Sequence, residues 1–411
     1  MKASMIAIAI LLLAGPPGWA DEKPRFELVN NDRVVLIGGT MIERDQTYGY
    51  LETRLTRRYP DRNITFRNLG WSGDTVEGIS RSGFGSVEDG YKHLVDHILA
   101  LKPTVLIIGY GANESFEGKA GLPKFVAGLE KLLKAVEPTQ ARLVFLSPTR
   151  QENLGPPLPD PTAHNADLAL YRDAIKAEAE KRGAVFLDLF DGLPDGAKAT
   201  PRQPLTNNGI HFTSYGYWRL ADLIDKEQTG TMAGNSPGGI DPNPIAVSAR
   251  FDTSINELKR TDSGAEFRLL DQILPENPSP VGRATWSGEP RELWVRGLKP
   301  GRYALKIDDK PIASADAATW NKGVVMTKGP EFDQIEALRQ AINAKNELYF
   351  YRWRPQNETY LFGFRKHEQG QNAREIPLFD PLVAAKEAEI ARLRVPVPHV
   401  YELIREGEAG R

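Results

Sequence analysis

A hydroxyl on a strand–helix turn, a close backbone amide, a carboxamide and an imidazole are the parts that acyl transfer needs. The 411-residue chain carries them in order: Thr40 in Gly38-Gly39-Thr40, Gly73 in Ser72-Gly73-Asp74-Thr75, Asn113 in Gly111-Ala112-Asn113-Glu114, and His211 after Asn207-Asn208-Gly209-Ile210. A hydroxyl so placed can act as nucleophile while its own N–H faces the developing oxyanion. Glycine lets a second backbone N–H come close because no Cβ intervenes. An Asn side chain adds a third donor. Histidine takes the hydroxyl proton and returns it to the leaving group. Thr40 is thus the expected nucleophile and His211 the expected base, with the Thr40, Gly73 and Asn113 amides as oxyanion donors. Asn208, three residues before His211, is the expected imidazole partner, accepting from Nδ1–H. It brings no charge to offset an imidazolium, as a carboxylate would.

Two other chemistries fit the same stretch. Asp74 and Glu114 are carboxylates beside the same blocks, and a carboxylate pair flanking a glycosidic bond would make a glycoside hydrolase. With a Thr as nucleophile and an Asn as its distant partner, a catalytically impaired carbohydrate-binding or scaffold protein is the third reading.

These residues need a scaffold that brings them to one edge. Short apolar runs at Val34–Ile37, Ile64–Leu69, Val105–Ile108, Leu143–Leu146 and Val185–Leu189 read as strands buried on both faces. Helical patterns lie between them at Tyr48–Tyr59, Glu88–Leu101, Leu122–Val136 and Ala166–Arg182, and a last helix begins near Ser214. In the third, Leu122, Phe125, Val126, Leu129, Leu132, Leu133 and Val136 fall on one face. Such alternation implies a parallel sheet with helices on both faces, the strand carboxyl ends sharing one edge. The Gly38, Gly73 and Asn113 blocks each follow a predicted strand.

In those blocks the sequence resembles the SGNH (GDSL-type) hydrolase family over residues 33 to about 226. Ser72-Gly73-Asp74-Thr75 is similar to the family's second block, Gly111-Ala112-Asn113-Glu114 to its third with Glu for Asp, and Asn208 and His211 stand where it has Asp and His. The first block departs, with Gly39-Thr40 where the family has Asp-Ser, and looks like a subgroup with a Gly-Gly-Thr turn and an added C-terminal domain. The resemblance implies a flavodoxin-like three-layer α/β/α fold on a five-stranded parallel sheet. It also implies carboxylester hydrolysis, often of acetylated carbohydrate, without a cofactor.

The rest of the chain reads as follows. Residues 1–20 have Lys2, an apolar run from Met5 to Ala14 and small residues before position 21, the pattern of a signal peptide cut after Ala20. The mature chain is expected to be periplasmic or secreted, with no stable membrane span. Residues 21–230 form the hydrolase-like domain, the Gly/Pro-rich residues 231–245 a linker, and residues 246–411 a smaller mixed domain. There, Leu293–Val295 and Tyr303–Ile307 suggest a hairpin or small sheet, and Phe332–Lys345 and Leu382–Leu393 suggest helices. The aromatic and arginine-rich run Tyr349–Glu358 offers Trp353, Arg354 and Asn357 as substrate contacts, through ring faces and anion pairing. A polar group at Arg365–Glu368 with Asn372 suggests a lid over the strand ends. Charges nearly balance, 52 basic against 54 acidic, so no nucleic-acid footprint is present. Without cysteine there is neither thiolate chemistry nor a disulfide, and no His-Glu-x-x-His spacing suggests a metal. A small molecule or polysaccharide is the expected partner.

Overall fold

The computed structural model describes residues 26–193, 203–229, 245–249, 253–261, 263–282 and 291–407. The signal-peptide and nearly all of the linker expectations lie outside the described residues. The first half is the expected parallel sheet. Its strands β1 (Arg33–Gly38), β2 (Thr65–Asn68), β3 (Val105–Gly109), β4 (Arg142–Leu146) and β5 (Val185–Leu187) lie in the order β2-β1-β3-β4-β5. All neighbours are parallel.

Period-two alternation of a strand sends neighbouring side chains to opposite faces, and β1 builds two cores in this way. Val34 and Leu36 join Ile42, Leu51, Leu55 and Trp218 from α1 (Thr40–Tyr48), α2 (Tyr50–Arg58) and α7 (Ser214–Thr229). Val35 and Ile37 join Leu94, Leu129 and Ile175 from α3 (Val87–Leu101), α4 (Gly118–Val136) and α5 (Thr162–Lys181). α6 (Leu189–Gly192) follows β5. The expected helix over Tyr48–Tyr59 is α2, and α1, which the pattern did not show, precedes it across a break at Gly49, which has φ 66°. A Cβ there would lie 2.1 Å from Asn343 Oδ1, so glycine both ends α1 and admits a helix from the second half.

That second half holds two antiparallel sheets. One has the order β11-β10-β13-β8-β7, from β7 (Thr253–Thr261), β8 (Gly264–Asp271), β10 (Arg302–Ile307), β11 (Lys310–Asp316) and β13 (His399–Arg405). The other, β12-β9-β6, uses β6 (Ala246–Ala249), β9 (Arg291–Arg296) and β12 (Val324–Met326). The expected hairpin of Leu293–Val295 with Tyr303–Ile307 is therefore corrected, since β9 and β10 belong to different sheets. β10 instead pairs with β11 across Asp308-Asp309, both at positive φ, as a two-residue hairpin turn requires. A short α8 (Ala317–Lys322) leads to β12. The expected helix at Phe332–Lys345 extends to α9 (Pro330–Trp353), which takes in the first half of the aromatic run. α10 (Glu358–Leu361), α11 (Lys366–Gln369) and α12 (Phe379–Leu393) follow, and β13 returns to the middle of the larger sheet.

α9 welds the halves together. Lys345 Nζ lies 2.7 Å from Glu52 Oε1 and donates to Phe66 O, while Asn346 Nδ2 donates to Glu52 Oε2. Arg54 of α2 pairs with Asp222 and Glu276, and Arg57 donates to Leu274 O. Tyr349, Trp353 and Val383 complete the α3-side core. Among the described residues no helix is long and apolar enough to cross a membrane.

Candidate active site

The carboxyl ends of β1, β2 and β3 carry the three sequence blocks to one edge of the sheet. Gly38 ends β1 at φ 155°, where a Cβ would meet Gly109 O at 2.4 Å. The chain then passes Gly39 and enters α1 with Thr40 as its first residue, so the positive end of the helix backs the hydroxyl. At residue 39, the family's Asp position, a Cβ would sit 3.0 Å from Asn113 Nδ2, a tight contact to which the carboxamide would have to yield by a few tenths of an ångström.

Thr40 Oγ1 accepts from Gly73 N at 3.4 Å. Asn113 Nδ2 donates to Asp74 O at 2.7 Å, which holds its carboxamide between the first and second blocks. Thr40, Asn113 and His211 line one small cavity, about 80 Å³, and Gly73 is tied to it through Thr40. The structure thus brings together the expected nucleophile, oxyanion donors and histidine. Among the described residues no hydrogen bond joins Thr40 Oγ1 to His211, a contact that often forms only when substrate is bound.

Asn208 does not do what its position suggests. Its Oδ1 accepts from Ile210 N at 3.2 Å and His211 N at 2.9 Å, an Asx turn that fixes the carboxamide's orientation. The amide nitrogen, not the oxygen, therefore faces His211 Nδ1, at 3.3 Å. Nδ1 then accepts, and the proton of the neutral ring is held on Nε2. This corrects the expectation that Asn208 accepts from Nδ1–H. Burial, then the Arg44 guanidinium, holds the His211 pKa below its ordinary value.

The two carboxylates are occupied elsewhere. Asp74 is 0% exposed, and its Oδ2 accepts from Arg81 Nε at 2.7 Å and Tyr110 OH at 3.1 Å. Glu114 staples the blocks, accepting from Val76 N and Gly111 N at 2.9 Å each. Burial, only partly offset by these amides, pushes its carboxyl up to about 7. Both are held in loop-bracing hydrogen bonds, an arrangement that does not favour the acid–base role considered for them.

The predicted substrate contacts are also corrected. Trp353, 8% exposed, packs edge-on against Trp71 and His97 in the core, and Asn357 Nδ2 donates to Gln369 Oε1. Neither lines the Thr40 cavity. Arg354 braces the site from behind. Its guanidinium lies 3.6 Å from the Trp71 ring centroid and 3.3 Å from Glu43 Oε1, while Glu43 Oε2 accepts from Ser72 N, beside Gly73. The Arg365–Glu368 group is an internal ion pair beside Phe84 and Phe364, not a cover over the strand ends.

Sequence reasoning missed several cavity residues. Arg44 stands four positions after Thr40, a helical spacing that could have marked it. Tyr217 donates to Met41 O at 3.0 Å. His164 Nε2 meets Ser115 Oγ at 2.8 Å, and its ring stacks on Phe116. No local pattern singles out His164, because α5 delivers it from a distant part of the chain. Among the described residues, no group of three or more His, Asp or Glu could hold a metal ion.

A family model described as the GDSL-like lipase/acylhydrolase family matches residues 37–219. No curated protein matches the sequence. Among solved structures, a gut microbial diltiazem-metabolizing enzyme is similar over 92% of this chain and 98% of its own, with TM-score 0.68 and 16% identity. An acetylxylan esterase from Geobacillus stearothermophilus covers 50% of this chain and 97% of its own, with TM-score 0.38 and 19% identity. A hydrolase from the Lake Arreo metagenome covers 49% of this chain and 97% of its own, with TM-score 0.38 and 19% identity. The first likeness shows that the fold of nearly the whole chain, second half included, recurs. The motif blocks, the sheet order and the family match agree in likening residues 37–219 to the GDSL-like lipase/acylhydrolase family, and the protein is a hydrolase.

Proposed function

We propose that the protein is an exported carboxylic-ester hydrolase that removes a short acyl group from carbohydrate. The observation that carries this reading is the convergence of Thr40 Oγ1, the Gly73 N–H, the Asn113 carboxamide and His211 at the carboxyl edge of a lipase/acylhydrolase-family sheet. The cavity has room for an acetyl group, and the exposed rings and branches of Phe116 and Ile210 at its rim offer apolar surface to a sugar.

Thr40 Oγ1 bonds to the ester carbonyl carbon as its proton passes to His211 Nε2. The resulting oxyanion is held by the Thr40 and Gly73 amides and the Asn113 side chain. Collapse breaks the bond to the alcohol oxygen, which takes the proton from His211, and water then frees the acid by the reverse sequence. Since Asn208 favours the Nε2–H form, His211 must first move its proton to Nδ1, and turnover is slowed accordingly.

Acetate release from acetylated xylo-oligosaccharides tests the reading. Thr40→Ala and His211→Ala should each lower kcat by at least about 100-fold, the scale of general-base and nucleophilic catalysis, while Thr40→Ser retains activity. A Thr40→Ala enzyme with full turnover refutes Thr40 as nucleophile.

A further inference from the structure

The acidic partner that His211 lacks is matched by a cation in the same cavity that has no acid of its own. Arg44 lies on α1 four residues after Thr40, so its side chain rises from the helix face of the nucleophile, one turn along, with Cβ atoms about 5–6 Å apart. It lines the cavity with Thr40, His211 and Tyr217. Among the described residues no carboxylate lies within ion-pair distance of Arg44.

The surrounding charges show how unusual this is. Arg150 pairs with Asp191, Arg81 with Asp74, and Arg354 with Glu43. The acidic neighbours of Arg44 on its own helix look elsewhere: Glu43 is held by Ser72 N and Arg354, and Asp45 is buried on the face toward Glu52. From the elements packed around the cavity come Asp74 and Glu114, both consumed in bracing the loops, and the basic groups Arg150, His164 and His211. The cavity therefore presents one uncompensated guanidinium to its contents, beside a histidine with a neutral partner.

We propose that Arg44 binds a carboxylate on the substrate, so that the preferred esters are those of acidic sugars, with the carboxylate about one helical turn from the scissile carbonyl. This deepens the esterase reading and rests on it for the reaction, though not for the binding site. Arg is suited to the task because its planar fork takes a carboxylate through two parallel hydrogen bonds. The pairing has a second effect. As His211 takes the Thr40 proton it becomes an imidazolium beside Arg44, a repulsion that Asn208 does nothing to relieve. A substrate carboxylate on Arg44 cancels that repulsion when the acidic substrate is in place. The same arrangement disfavours neutral sugars, which leave the guanidinium uncompensated against the protonating histidine.

Two measurements on the full-length protein test this separately. Calorimetry compares methyl glucuronoside with methyl glucoside, the deacylated sugars. Wild type should bind the acidic one at least about tenfold more tightly, Arg44→Gln should bind the two equally, and Arg44→Lys should keep part of the difference. Equal binding by wild type, or a preference that survives in Arg44→Gln, overturns the proposal. Acetate release from the O-acetylated forms of the same sugars gives the second readout. A kcat/KM ratio of about ten or more in favour of the acidic ester, collapsing toward one in Arg44→Gln, supports both readings. Selective binding with no acetate released from either ester refutes the esterase reading and leaves the carboxylate site standing. Turnover of both esters at equal kcat/KM overturns the Arg44 proposal and leaves the esterase reading in place.

Discussion

Replacing Asn208 with Asp should speed the proposed reaction. In the present structure Asn208 Oδ1 is already used by two backbone amides, so Asn208→Asp keeps the Asx turn. The change falls on the second atom, 3.3 Å from His211 Nδ1, where an N–H donor becomes a carboxylate oxygen. Two effects follow. The neutral ring now holds its proton on Nδ1, leaving Nε2 free to accept from Thr40. The imidazolium formed during attack gains a charged neighbour, and an opposite charge at this range favours the charged form by about 1–3 pKa units, or about 1.4–4 kcal/mol. In a serine protease the reverse change, Asp to Asn, costs about 10⁴ in kcat through the wrong tautomer. Here Arg44 and burial oppose the gain, so the expected rise in kcat is about 10- to 1,000-fold. The assay is acetate release over a pH series, with ¹⁵N shifts of the His211 ring to report which nitrogen carries the proton. His211 should change from Nε2–H to Nδ1–H, and the acid limb of the profile should move to higher pH. An Asn208→Asp protein that melts like wild type and shows the tautomer change, yet gains less than about twofold, refutes His211 as the general base.

The remaining predictions concern the framework. Arg354→Ala removes the stack on Trp71 and the pair with Glu43, loosening the loop that carries Gly73; kcat should fall about 10- to 100-fold with KM little changed, Arg354→Lys should recover part of it, and a rise in KM alone would mean that Arg354 touches substrate instead. Lys345→Met leaves the Glu52 carboxylate buried without its cation and should cost about 3–5 kcal/mol in urea unfolding, most of it regained in Lys345→Met with Glu52→Gln; an unchanged midpoint in the single variant refutes the weld between the halves. Asp45 is buried, and burial first, then the charge of Glu52, raises its carboxyl from 3.8 to about 7. The folded state thus holds a proton that the unfolded chain has lost. The stability this gives is full below the unfolded value and is lost as pH rises through about 7. Urea midpoints should therefore fall across that window, and Asp45→Asn should flatten the change; a slope of the same size in the variant assigns it to other groups.

The parallel sheet and the edge on which the chemistry sits are legible in the order of residues alone. Runs such as Val34–Ile37 and Val105–Ile108 are apolar at every position, short and rich in β-branched residues, which marks a strand covered on both faces rather than a helix, and the functional blocks follow such strands directly. Chain order then places Thr40, Gly73 and Asn113 together, since parallel strands end on one edge whatever the side chains do. Beyond that, local pattern had little purchase. The course of α9 and the partners of β9, β10 and β13 depend on contacts between residues far apart in the chain, and the return of β13 between β10 and β8 has no local signature. Tertiary structure also decided the roles of individual polar groups. Asp74, Glu114, Trp353 and Arg354 had the right types for chemistry or substrate contact, but Asp74 and Glu114 are spent on loop-bracing hydrogen bonds, Arg354 on Glu43 and the Trp71 ring, and Trp353 on packing in the core. For Asn208 the deciding fact is smaller still: two backbone amides claim its oxygen, and the orientation of one carboxamide sets which nitrogen of His211 holds the proton. A one-dimensional spacing cannot carry that information, because hydrogen-bond direction is fixed only when the neighbouring donors are fixed in space.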